Sequence, residues 1–323
     1  MVLQLRTRLR ELLGIEVPIV LAGMASYTDA RLVAAVSNAG GLGLLGSVGR
    51  TPDEIVAEID RIRGLTDRAF GVNVVIADAL PEIWDAVVAA RPPVVSTSWG
   101  DPGPGIDRIR AAGSKALHQV TTVAGAREAA AAGVDAIIAQ GTDGGGHVGQ
   151  VGTMAIVPQV VDAAAGVPVI AAGGIVDGRG LAAALALGAE GVFVGTRFLA
   201  THEASIPEPW KAALLAAAAE RAVATNIPDI LWKVNPWPGA TCRVLQNRLI
   251  DNWLSRESLL AERAEEVAER VAVAREAGDF DDVPLYAGQG AGAITEMLPA
   301  AEVVRRMVEE AEQVIRRLRS APD

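Results

Sequence analysis

The chain has 323 residues, half of them hydrophobic, which suffices for one large domain or for a barrel with a smaller appendage. Its 29 basic residues face 39 acidic ones, a net charge of −10, which argues against nucleic acid and anionic membrane surfaces as partners. No apolar run has the length of a bilayer crossing, and a single cysteine, Cys242, excludes a disulfide framework.

Residues 1–13 alternate leucine with arginine and include Glu11. They lack the apolar core and small-residue cleavage site of a secretion signal, so the cytoplasm is the expected location. From there β-branched runs alternate with alanine-rich helical stretches. Strands are predicted at 17–22, 43–45, 70–75, 94–97, 115–119, 136–140, 167–171 and 191–194. Helices are predicted at 29–38, 52–63, 81–90, 104–112, 123–132, 158–164 and 179–187, with a last one near Thr196. The strands are apolar on both sides, as in a parallel sheet covered on both faces. Eight such repeats within about the first 200 residues predict a (β/α)8 TIM barrel.

After Ala204 the strand-like pattern stops. Residues 207–222 and 245–277 read as helices flanking a stretch, 226–237, with prolines and tryptophans. The expected division is a barrel of residues 1–205 and 286–323, and a helical lid or substrate domain of 206–285. Trp232, Trp237 and Trp253 are expected in the lid core, where they also have the means to shape an apolar entrance. Arg243 and Asn247 are read as a hydrogen-bonded pair joining lid to barrel. The amphipathic stretch 300–319 is expected to pack back on the barrel.

The chemistry-bearing motifs fall at strand ends. Ala172–Gly173–Gly174 ends the seventh barrel strand and Gly195–Thr196 ends the eighth. In a barrel these turns are neighbours at the C-terminal face, where glycine-freed amides make a phosphate site. Tight turns without a ligand are the plainer alternative. After the sixth strand comes Gln140–Gly141–Thr142–Asp143–Gly144–Gly145–Gly146–His147. Glycine amides can approach a flat ring closely, and the histidine is suited to acid, base or anion-stabilising work near neutral pH. Ala22–Gly23–Met24 follows strand one. Asn73, in the third strand, needs a polar partner if buried, from a ligand or from neighbouring backbone. His118 is kept as a weak pocket candidate and His202 is read as surface. No metal-ligand set is assigned.

The ordered set of runs PIVLAGM (18–24), AAVSNAGGLG (34–43), GVN (71–73), GVDAIIAQGTDGGGHVG (133–149), PVIAAGG (168–174), GVFVGTRFL (191–199) and YAGQGAG (286–292) resembles the nitronate monooxygenases, formerly called 2-nitropropane dioxygenases. The resemblance implies an oxidoreductase with FMN at the barrel's C-terminal mouth. By position, Ala22, Gly23, Met24 and Asn73 would line the flavin. Gln140, Gly145 and Gly146 would flank its ring, and Gly173, Gly174, Gly195 and Thr196 would hold its phosphate. His147 matches the family's catalytic histidine, acting as a base or assisting a bound anion, with dioxygen as co-substrate. The chain departs from the usual pattern at Asp143, Gly144 and Val148 around the histidine and at Thr97–Ser98 before Trp99, positions expected to face the pocket.

Rival readings share parts of this pattern. A flavin-dependent enoyl-ACP reductase or a quinone reductase would draw on NAD(P)H. From other classes, Lys115 offers a Schiff base to an aldolase, and a phosphate-binding barrel without catalysis is the plainest alternative. A homodimer is compatible with all of them.

Overall fold

A computed structural model describes residues 5–234 and 239–320; Trp237 lies outside them. Eight parallel strands form the predicted barrel: β1 (Ile19–Leu21), β2 (Gly43–Gly46), β3 (Phe70–Val75), β4 (Val94–Ser98), β5 (Lys115–Val120), β6 (Ala136–Gln140), β8 (Val169–Ala172) and β9 (Gly191–Val194), with β7 (Gly146–Val148) lying outside it. Each strand pairs with the next around the ring. β9 pairs with β1, and a parallel bridge from Val20 to Leu42 joins β1 to β2 and closes the ring.

The alternation hidden in these runs separates two cores. Val20, Leu42, Leu44, Val94, Leu117, Ile138, Ile170 and Phe193 point inward and fill the barrel. Their neighbours Leu21, Leu45, Val72, Val95, Ile137 and Val192 point outward against the surrounding helices. Both faces are apolar because both are covered, and so the sequence looks continuous rather than alternating. The leucine–arginine start supplies a helix, Arg8–Leu13, whose Leu9 and Leu13 join the inward core. β9 opens with Gly191, where a Cβ would stand 2.5 Å from Leu9 Cδ2. The long helix Ala300–Arg319 packs on the helix Gly178–Ala186, where Glu310 accepts from the Gly178 amide at 2.9 Å.

The appendage differs in detail from its reading. Residues 207–222 hold a shorter helix, Glu208–Leu215, and 245–277 hold three helices, Arg248–Trp253, Glu257–Glu262 and Ala264–Glu276. Asn247 starts the first of these by accepting from the Ile250 amide. Two strands also occur, β10 (Ala222–Thr225) and β11 (Thr241–Leu245). They are short, and their third partner is β7, drawn from the histidine loop about a hundred residues upstream. No local pattern could announce that pairing. Trp253 lies in the appendage's own core with Ile250, Leu260 and Val271, as expected.

Arg243 and Asn247 do not pair with each other. Arg243, on β11, donates from Nε to the Thr142 carbonyl (2.9 Å) and from Nη1 to the Ala222 carbonyl (2.6 Å), tying appendage to barrel loop. Asn247 donates to Val283 O at 2.8 Å and stays within the appendage. Arg243 lies within β11 and Asn247 caps the helix that follows it, so each meets a different neighbour.

Candidate active site

The C-terminal ends of the strands surround a cavity of about 550 Å³. All twelve site residues read from the sequence line it: Ala22, Gly23, Met24, Asn73, Gln140, Gly145, Gly146, His147, Gly173, Gly174, Gly195 and Thr196. Several glycines there are steric necessities. A Cβ at Gly23 would stand 2.5 Å from Asn73 Cβ, and one at Gly145 2.6 Å from the carbonyl carbon of Ala287. Gly173 and Gly174 take φ of +109° and +70°, a backbone region that side chains disfavour.

Asn73 is buried on the inward face of β3, and its side-chain amide has no hydrogen-bond partner among the described residues. The amides of Gly174, Gly195 and Thr196 likewise donate to no backbone oxygen among the described residues. These polar groups face the cavity, where a ligand has donors and acceptors to meet. The tail completes the wall. Gly288 and Gly290 line the cavity, the Gly288 amide donates to Thr196 Oγ1 at 2.9 Å, and that of Gln289 to the Asp143 carbonyl at 3.0 Å.

β7 positions His147. Its Nε2 lies 2.8 Å from Asp229 Oδ1, on the appendage helix Ile227–Trp232, and its ring meets Trp99 edge-on with centroids 6.2 Å apart. A carboxylate only accepts, so the neutral ring carries its proton on Nε2 and its basic nitrogen is Nδ1. Cys242 sits opposite His147 in the β7–β11 register, and burial, with the nearby Asp229 charge, pushes its thiol well above the ordinary range.

Sequence reasoning missed several cavity residues. Gln119 donates to Gln140 Oε1 at 3.0 Å inside the mouth. Tyr27, Trp99, Arg275 and Tyr286 also line the cavity. Trp232, read as lid core or entrance, is 38% exposed and lines the cavity instead of the lid core, with Arg275 over its ring at 5.8 Å. Burial raises the Tyr286 hydroxyl far above its usual range, so it stays protonated. Asp229 had no local signal at all, since its partner lies in another element. The YAGQGAG tail carries the resemblance in sequence, and its Gly288 and Gly290 stand in the cavity wall without a sequence signal for that place.

Other expectations are corrected. His118 points outward from β5, with Nδ1 2.8 Å from Thr97 Oγ1, and does not line the cavity. Neighbouring residues on a strand face opposite ways, so Gln119 takes the inward place. The same parity turns Thr97 away and leaves Ser98 at the cavity. Val148 is fully buried, and Asp143 accepts from the Thr153 amide at 2.6 Å, holding the helix Thr153–Ala163 to the loop. Of the departures from the family pattern, only Gly144 and Ser98 face the pocket. Lys115 opens β5 at the barrel's opposite end, half-exposed and 3.4 Å from Asp135, which removes the Schiff-base reading. His202 is exposed, as read.

The sequence profile described as Nitronate monooxygenase matches residues 6–86 and 82–310. A Mycobacterium tuberculosis protein, (3aS,4S,5R,7aS)-5-hydroxy-7a-methyl-1-oxo-octahydro-1H-indene-4-carboxyl-CoA dehydrogenase, is 42% identical over 253 residues, 77% of this chain and 68% of its own length. FabK from Thermotoga maritima superposes with a TM-score of 0.88 at 36% identity, covering 97% of this chain and 98% of that one. A nitroalkane oxidase from Streptomyces ansochromogenes gives 0.83 at 33% identity, covering 96% and 99%.

Proposed function

This chain belongs to the nitronate monooxygenase family of flavin-dependent oxidoreductases, and from that premise we propose that it binds FMN and oxidises alkyl nitronates with dioxygen to carbonyl compounds and nitrite. The observation that carries the reading is the His147–Asp229 pair set in the wall of a glycine-lined cavity at the barrel mouth. The cavity suits a flat, phosphate-bearing cofactor: open amides at Gly174, Gly195 and Thr196 for the phosphate, an unpartnered Asn73 amide for a polar ring edge, and glycines where a Cβ would crowd the wall.

FMN, when bound, supplies the acceptor for the substrate's electrons and passes them to dioxygen. The chain's own residues prepare the substrate. From a parent nitroalkane, neutral His147 would take the α-carbon proton on Nδ1 while Asp229 holds Nε2–H, leaving the nitronate anion beside an imidazolium that the carboxylate stabilises. In the protonated form the same ring offers positive charge to an anionic nitronate. Trp99 limits the ring's tilt. Tyr27, Trp232 and Tyr286 supply apolar wall that keeps water from the reacting face. In this reading residues 1–205 and 286–323 hold the cofactor, and 206–285 form the lid over the substrate, contributing Asp229. Oxygen uptake matched by nitrite release with a small alkyl nitronate tests it; uptake without nitrite contradicts it.

A second reading is favoured by the M. tuberculosis dehydrogenase and by FabK: oxidoreduction of a thioester-linked substrate, or reduction of the flavin by NAD(P)H. Arg275 at the rim would then meet a phosphate of the long substrate or cofactor. Rapid flavin reduction by NADH, without nitronate turnover, identifies this case.

A further inference from the structure

His147, Asp229 and Cys242 bring an imidazole nitrogen, a carboxylate oxygen and a sulfur to one place, all within 4.8 Å of one another. Three elements deliver them: β7, the helix Ile227–Trp232 and β11. Directly paired residues project from the same face of a sheet, so the register Cys242 to His147 sets sulfur beside the ring. Cys242 is fully buried and takes no part in the proposed oxidation.

We propose that these three side chains form a binding site for a thiophilic divalent cation, with zinc as the best match, and that an ion bound there withdraws His147 from catalysis. One thiolate, one imidazole and one carboxylate are ligands zinc accepts, and three protein ligands leave a fourth position for water or a ligand from the cavity. Hard cations such as magnesium, which favour oxygen donors, fit this set poorly. The ligand atoms, all within 4.8 Å of one another, must take the spacings a tetrahedral ion sets, about 3.6 Å from sulfur to nitrogen or oxygen. Nε2 and Oδ1 are 2.8 Å apart. Tetrahedral ligands about 2.0–2.1 Å from zinc stand about 3.3 Å from one another, so the ion replaces their hydrogen bond when the two atoms separate by about half an ångström. The thiol and Nε2 each release a proton to solvent as the metal takes their place. Metal binding is independent of the functional reading; inhibition rests on the role of His147 in it.

The test is equilibrium dialysis of the flavin-loaded, chelator-treated protein against zinc chloride, with metal content read by atomic emission. One zinc per chain is expected for the wild type, undiminished by excess magnesium. Loss of one ligand exceeds the effect of losing a supporting contact, so Cys242→Ala and Asp229→Asn should each bind at least about 100-fold more weakly. Flavin content of each variant reports whether it has folded. Cys242→Ala should keep metal-free turnover and escape inhibition by zinc. No zinc on the wild type, or equal binding by wild type and Cys242→Ala, overturns the site. Zinc bound without effect on turnover leaves the site standing and overturns the inhibition.

Discussion

His147 Nε2 and Asp229 Oδ1 are 2.8 Å apart although 82 positions separate them in the chain. One comes from the glycine loop of the barrel, the other from the appendage, so the candidate dyad exists only when the two are docked. The contact gives the appendage a chemical purpose beyond covering the cavity.

His147→Ala should keep its flavin and lose about 10²- to 10⁴-fold in kcat/KM for nitronate, the span of a positioned acid–base group. Asp229→Asn removes the acceptor that fixes the ring's tautomer and should lose on the order of 10- to 100-fold, short of the histidine variant. Steady-state rates beside flavin absorbance check both. Full turnover by His147→Ala contradicts the role assigned to it.

Bulk at the phosphate turns should cost flavin, for a different reason at each position. Gly174 has φ of +70° and its Cβ would face Asp143 Cβ at 3.1 Å, so Gly174→Val acts by straining the turn. At Gly195 a Cβ would lie 3.2 Å from Met24 Sδ, so Gly195→Val displaces Met24 within the cavity wall. Both variants should purify with less than about a tenth of the wild-type flavin, equivalent to at least about 1.4 kcal/mol of lost binding. Normal flavin-to-protein ratios in both would remove the phosphate assignment.

His118 predicts a pH dependence of stability. Burial holds its pKa down at about 4, against 6.5 for the free side chain. Between these values the unfolded chain binds the extra proton, so stability is full above about pH 6.5 and falls as pH drops toward 4. At about 1.36 kcal/mol per unit the ceiling is roughly 3 kcal/mol. Urea unfolding at about pH 7.5 and about pH 5 should show a smaller difference for His118→Leu than for wild type. Equal differences contradict the assignment.

Arg243 is the bolt between appendage and histidine loop. Arg243→Met leaves the carbonyls of Thr142 and Ala222 without their charged donor. A loss of about 2–4 kcal/mol is expected from two such bonds, read from urea denaturation. Because β11 pairs with β7, nitronate kcat should fall alongside.

The barrel and the glycine wall were legible because their signals are local. Each strand is a short run, each turn a glycine pair, and strand ends point one way in this fold. What escaped reading lies where partners are distant in sequence. Asp229 and Cys242 become neighbours of His147 only through the β7–β11 pairing, and β10 and β11 are too short to declare themselves without it. His118 and Thr97 were misplaced for another reason. In β4 and β5 polar residues fall on both faces, Ser96, Ser98 and Gln119 inward and Thr97 and His118 outward, so polarity alone did not fix the inward parity.

An anaerobic visible spectrum of the flavin-loaded protein, with an alkyl nitronate added in one cuvette and NADH in another, tests the proposed chemistry most directly. Prompt bleaching of the flavin by the nitronate is the expected result, slowed at least about 100-fold in His147→Ala. A flavin that stays oxidised with nitronate and bleaches with NADH contradicts it, and assigns the cavity to a reductase.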